Sequence, residues 1–294
     1  MSGFFDFSPE ALARLAAADV ARALAEDVGD DLARGDLTAG LVDAARQARA
    51  TILARERAVI CGRPWVEAAV LALDPQARLA WQVAEGERCA KDQVVLEIQG
   101  SARALLTAER TALNFLQLLS AVATKTATYA EVVRGTRARI VDTRKTLPGL
   151  RLAQKYAVRT GGGSNHRIGL YDAVLIKENH IAAAGGVRAV LAAAAAVPGL
   201  SERASFIEIE VETLAQLQEA LDAGAKMVLL DNMDLPTLRE AVRINAGRAI
   251  LEISGGVTLA RLRELAETGV DRISIGTLTK DVQATDFSMR FKEL

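Results

Sequence analysis

Four cations, Arg144, Lys145, Arg167 and Lys177, stand in a stretch where only Asp142 and Asp172 oppose them, and the carboxylates Glu210 and Asp231 follow later. An arginine fork matches the two oxygens of a planar carboxylate, while a lysine ammonium is a compact charge suited to phosphate oxygens. Several cations gathered in one cavity need anionic ligands, because their mutual repulsion otherwise costs stability. Two carboxylates suit magnesium, which takes its other ligands from water and phosphate. The turns Ser254-Gly255-Gly256 and Gly276-Thr277 offer backbone N–H groups of the kind that hold phosphate. Gly161-Gly162-Gly163-Ser164-Asn165-His166-Arg167 reads as a loop where backbone approaches a ligand closely. Together these residues describe an anion-binding pocket.

The elements that must position them are visible in the rhythm of the chain. After residue 137, β-branched runs at Arg139-Ile-Val, Ala173-Val-Leu-Ile, Phe206–Val211, Met227-Val-Leu-Leu, Ala249–Ile253 and Arg272-Ile-Ser-Ile alternate with helix-like segments. Parallel neighbours need such crossovers. Six strands are too few for an eightfold barrel, so the expectation is an incomplete parallel α/β barrel, with a flat doubly wound sheet as the rival. In a barrel the strand C-termini face one mouth, and the charged or glycine-bearing groups named above lie just past a strand or, for His166 and Arg167, in the Gly-rich loop. Glu208 and Glu210 are two apart on one strand and share a face, with Glu210 nearer the mouth; Glu212 follows in solvent. Arg151, Lys155 and Arg159 read as a solvated helix face. His180 reads as a satisfied non-ligand residue that could orient its surroundings.

Upstream, Ser8 caps a helix beginning at Pro9, and an acidic loop follows. Strands are expected at 50–60, 77–83 and 93–98, a short helix at 65–73, and a long helix from about 104 to 133. This first part reads as a small α/β domain.

The chain has 294 residues, half of them hydrophobic and a quarter charged, with a net charge of −1. That composition gives no general pull on nucleic acid or anionic membrane. The start of the chain lacks the pattern of a secretory signal. No stretch approaches the roughly 20 apolar residues of a spanning helix. Cys61 and Cys89 read as packing residues in a reducing compartment, which places the protein in the cytoplasm.

Asp142-Thr-Arg-Lys-Thr-Leu-Pro-Gly-Leu-Arg, Gly161-Gly-Gly-Ser-Asn-His-Arg and Leu175-Ile-Lys-Glu-Asn-His closely resemble motifs of quinolinate phosphoribosyltransferases. Glu109-Arg-Thr-Ala-Leu-Asn, Ile207–Val211, Leu229-Leu-Asp-Asn-Met, Leu251–Val257 and Ile273-Ser-Ile-Gly follow in the family's order, and the likeness runs from about residue 24 onward. The resemblance implies an N-terminal α/β sandwich domain over 1–115, rejoined by the tail 281–294, and a TIM-like barrel of six or seven strands over 116–280. It implies a homodimer with shared sites, in which Arg110 reaches the neighbouring subunit's quinolinate. It further implies that Thr143, Arg144, His166, Arg167 and Lys177 hold quinolinate. Lys145, Glu210, Asp231, Ser254, Gly255, Gly256 and Gly276 would face phosphoribosyl pyrophosphate. Glu210 and Asp231 would hold Mg²⁺, directly or indirectly, and Lys145, Lys177, Glu210 and Asp231 would be the catalytic set. Where many members carry a His after the Leu-Thr pair, this chain has Lys280.

Other readings make different demands. A related phosphoribosyltransferase, such as the homologue associated with molybdenum transport, would use another ring acid. A barrel lyase would form a Schiff base through Lys177. A phosphometabolite sensor would bind without turnover, and has no need of paired carboxylates.

Overall fold

The computed structural model describes residues 6–32 and 34–293; the first five residues of the expected non-secretory start lie outside them. In chain order the elements are α1 (Pro9–Val28), β1 (Gln47–Ala54), β2 (Ala58–Val59), α2 (Arg63–Leu73), β3 (Arg78–Trp81), β4 (Arg88–Cys89), β5 (Val94–Ser101) and α3 (Ala102–Val132). Then come β6 (Arg139–Val141), α4 (Arg151–Thr160), β7 (Val174–Ile176), α5 (Glu178–Ala184), α6 (Val187–Ala196), α7 (Leu200–Arg203), β8 (Ile207–Val211) and α8 (Leu214–Asp222). The chain closes with β9 (Met227–Asp231), α9 (Leu235–Asn245), β10 (Ile250–Ser254), α10 (Leu259–Ala266), β11 (Arg272–Ser274), α11 (Thr277–Lys280) and β12 (Phe287–Glu293). None of the described helices is long and apolar enough to cross a membrane.

Two compact units divide the chain. The first takes residues 6–127, 147–162 and 281–294, and the second takes 128–146 and 163–280. The division therefore falls inside α3, and it assigns α4 to the first unit.

The first unit is built on an antiparallel sheet in the order β12-β1-β5-β3. β1 alternates in burial, with Ala48, Ala50, Ile52 and Ala54 inward, as a strand with one face on a core must. Ser8 caps α1 by accepting the Ala11 N–H, with Pro9 at the first turn. Trp65 is fully buried and its indole N–H donates to Asp19. Cys61 and Cys89 are free and buried. Lys155 corrects the sequence reading: it is fully buried rather than part of a solvated face. Ala153, Gln154, Ala157 and Val158 are buried beside it, so α4 is covered on more than one side.

The second unit holds a parallel sheet of six described strands in the order β6-β11-β10-β9-β8-β7. The last strand lies beside the first, while β6 and β7 do not pair, so the sheet is an incomplete barrel with one seam. At that seam Ser164 makes an isolated parallel bridge to Val141. Burial on both faces accounts for the near-continuous apolar run Met227–Leu230.

Candidate functional site

The strand ends of the second unit deliver charged groups in the order the sequence suggests. Asp142 directly follows β6 and is fully buried. Its carboxylate accepts the His166 backbone N–H at 2.9 Å and the Asn165 side-chain amide at 2.6 Å. These bonds fix the segment carrying His166 and Arg167 to the end of β6. Asp172 closes the following loop by accepting the N–H groups of Ile168 and Gly169 at 2.8 and 2.7 Å.

Arg144 and Arg167 are held near one another. Burial first, and then the positive Arg144 nearby, push the Arg167 guanidinium below its ordinary range. Arg144 Nε is buried and has no hydrogen-bond partner among the described residues. A guanidinium N–H withdrawn from water without an acceptor is costly. That unanswered N–H, with a second guanidinium close by, matches what a dicarboxylate would satisfy. Glu208 senses both Arg167 and Lys177, as well as Arg272 and Glu210, which places these charges around one spot.

Lys177 directly follows β7, and its Nζ lies 2.7 Å from Glu210 Oε2 near the end of β8. His180 turns back to accept the Lys177 backbone N–H through Nδ1 at 3.0 Å, capping α5 and orienting the lysine. Lys145 lies over Gly276: a Cβ there would meet Lys145 Cδ at 3.0 Å and Thr143 Oγ1 at 3.6 Å. The Thr279 hydroxyl donates to the Lys145 carbonyl at 2.8 Å, tying the loop after β6 to α11. Lys280 is exposed.

Asp231 pairs in register with Ser254 across β9 and β10. The neighbouring Asn232 has a left-handed backbone (φ 52°) and donates its amide to Asp231 Oδ2 at 2.8 Å. Asn232 packs where a Cβ of residue 255 would be, so Gly255, itself at φ 89°, is required there. Gly161 differs from its expected role: a Cβ on it would strike the Ala123 carbonyl and Thr126, so it serves the packing of α4 on α3.

His166, expected among the carboxylate ligands, is buried with both ring nitrogens engaged. Nδ1 accepts the Arg167 backbone N–H at 2.8 Å, so Nε2 carries the proton and donates to Glu208 Oε2 at 2.8 Å. Glu252 Oε1 lies 3.6 Å from the same nitrogen, and Glu252 Oε2 accepts from Arg272 Nε at 2.7 Å. Burial, the larger cause, raises Glu208 and Glu252 to about 7 each, against the pull of nearby cations. Neither Glu252 nor Arg272 stands out in sequence, because a charged residue inside a strand does not announce which face it occupies. Arg110 is exposed on α3 in the first unit.

Comparison with known proteins agrees in both halves of the chain. Residues 36–120 match the model of the quinolinate phosphoribosyl transferase N-terminal domain, and residues 122–290 match that of its C-terminal domain. A nicotinate-nucleotide pyrophosphorylase (carboxylating) of Mycobacterium leprae is 43% identical over 283 residues, covering 92% of this chain and 95% of that protein. A probable enzyme of the same name from Bacillus subtilis is 38% identical over 260 residues, covering 88% and 89%. Among solved structures, the nicotinate-nucleotide pyrophosphorylase of Francisella tularensis superposes with a TM-score of 0.89 at 39% identity, covering 95% and 97% of the two chains.

Proposed function

The chain belongs to the quinolinate phosphoribosyltransferase family, and from that membership we infer that it joins quinolinate to phosphoribosyl pyrophosphate. The products are nicotinate mononucleotide, pyrophosphate and carbon dioxide, a step in the making of NAD. The observation that carries this reading is the pair Arg144 and Arg167, crowded together with a buried guanidinium N–H left unanswered.

Arg144, Arg167, Thr143 and Lys177 receive the two ring carboxylates. His166 supports Arg167 from behind, since its nitrogens are already bonded. Lys145 over Gly276, together with Ser254, Gly255 and Gly256, faces the phosphates. Glu210 and Asp231 face the ribose hydroxyls and the cation end of the pyrophosphate. Their hard oxygens, too few to form a cage, fit a magnesium ion that arrives with phosphate ligands. Bound there, magnesium would neutralise charge developing on pyrophosphate.

The pyridine nitrogen attacks the anomeric carbon as the carbon–oxygen bond to pyrophosphate breaks, and Lys145 and Lys177 stabilise the departing charge. Loss of carbon dioxide leaves its bonding electrons on the ring carbon beside the cationic nitrogen, and a proton taken up from water replaces it there. No protein nucleophile is required; aligned binding of both substrates supplies much of the rate. Lys177 is ion-paired with Glu210, which suits a lysine that holds anions better than one that forms a Schiff base.

The protein works as a homodimer in which Arg110 of one subunit completes the quinolinate site of the other. Support comes from the first unit, where Leu37 and Leu41 are 85% and 86% exposed and Leu106, one helical turn before Arg110, is also exposed. Apolar surface of this kind marks a contact region. The buried free thiols of Cys61 and Cys89 fit the cytoplasm.

The test is direct. Purified protein given quinolinate, phosphoribosyl pyrophosphate and Mg²⁺ forms nicotinate mononucleotide, and other pyridine acids serve poorly. Absence of product from quinolinate, or faster turnover of another acid, overturns the assignment.

A further inference from the structure

Inside the barrel, a chain of polar and charged side chains runs largely out of solvent. Arg272 on β11 donates to Glu252 on β10, whose other oxygen lies 3.6 Å from His166. His166 donates to Glu208 on β8 and accepts from the backbone of Arg167. Glu208 and Glu252 are fully buried. Glu208 Oε1, Glu252 Oε1 and Arg272 Nη2 are buried with no hydrogen-bond partner among the described residues. Phe206 fixes the ring plane, meeting His166 edge-on at 5.1 Å while Arg272 lies over it at 5.9 Å.

Such a cluster is a poor way to build a core. Apolar side chains of similar volume are often as stable as buried ions or more so, and incompletely bonded charges are worse still. By composition His166, Glu208 and Glu252 also make a cation donor set. The hydrogen bonds count against that use: with Nδ1 accepting an N–H, Nε2 presents a proton to the carboxylates and has no lone pair to give. What the cluster does hold is the backbone amide of Arg167, through an imidazole clamped on the opposite side by Glu208. Asp142 holds the same segment from the strand end.

We propose that Glu208, backed by Glu252 and Arg272, is a positioning residue that acts through His166 to fix the launch point of Arg167, without touching substrate. This rests on Arg167 being a quinolinate ligand, as inferred above. Loss of the clamp would loosen one arginine of the pair and leave the phosphate side of the mouth alone.

Glu208→Leu removes the acceptor but fills much of the same space, whereas Glu208→Gln keeps an oxygen that accepts from Nε2. Calorimetric titration is expected to show quinolinate binding weakened about tenfold or more in Glu208→Leu, from the loss of charge-assisted bonds. Phosphoribosyl pyrophosphate binding should stay within about twofold, and Glu208→Gln should restore quinolinate binding to within about threefold of the parent. Wild-type quinolinate affinity in Glu208→Leu, or parallel weakening of both substrates, overturns the proposal.

The chain has two histidines, so ¹⁵N imidazole spectra, assigned with His180→Gln, report the ring directly and need no ligand. The unmodified protein is expected to show His166 as a single Nε2–H tautomer. An Nδ1–H ring or an imidazolium at neutral pH overturns the tie even if Glu208→Leu does not fold. If the unmodified protein fails to bind quinolinate, the functional reading falls, while these spectra still decide the state of the clamp.

Discussion

Glu85 in the first unit and Glu252 in the second are both carboxyls drawn away from water, and their surroundings differ in kind. Glu85 accepts the N–H groups of Gly62 and Arg63 at the start of α2, at 2.9 and 3.2 Å, and the Tyr156 hydroxyl at 3.0 Å. Burial pushes its proton affinity up, and those donors pull it back. Glu252 has one good donor, Arg272, and a second oxygen left without one. A satisfied carboxylate at a helix N-terminus is a structural device, since it answers donors the helix cannot. An unsatisfied one beside a ligand site costs stability and points to placement of something else.

That contrast can be broken by experiment. If the second unit's polar cluster serves the mouth, changes there should move kinetics more than stability. The largest effect is expected from Arg167→Ala. It should raise the KM for quinolinate on the order of 100-fold, about 2.8 kcal/mol of lost charge-assisted bonding. The melting temperature should hold or rise as repulsion with Arg144 is relieved. Next, Glu85→Ala should act in the opposite way. Urea unfolding is expected to show a loss of about 2–3 kcal/mol from stranded donors, with kcat/KM within about twofold of the parent.

A third measurement sharpens the difference through pH. Folded Glu252 keeps its proton up to about 7, chiefly because of burial and then Glu208, whereas the ordinary value is 4.5. Between those values the folded chain binds more protons than the unfolded one, so stability should fall as pH rises from 4.5 to 7 and level off above. Melting curves of Glu252→Gln should be flatter over that interval; an unchanged slope would remove this distinction between the regions. The smallest effect is expected from His180→Ala. Loss of a cap costs about 1 kcal/mol or less, and fluorescence-monitored unfolding together with a few-fold drop in kcat/KM would show Lys177 loosened.

Much of this was legible in the residues. All six barrel strands coincide with β-branched runs, and the strand-end cations and carboxylates lie where those runs placed them. What escaped has physical reasons. Lys155 sits on a helix with buried residues on more than one side, so its charge misleads. For His166 the sequence shows neither Glu208 Oε2 nor the Arg167 amide, the partners of its two ring nitrogens. Asn232 gains meaning only beside Gly255, a partner on another strand. β12 alternates Phe287, Met289 and Phe291 with polar residues, but nothing local says that its partner is β1, near the opposite end of the chain.

The pairing of β1 with β12 has a consequence for biosynthesis. Ala48 meets residue 293 and Ala54 meets Phe287, so one border of the first sheet has no neighbour until residues 287–293 have been made, long after β1. Bare borders of this sort invite association between nascent copies. Removing residues 287–293 would make that vulnerable interval permanent.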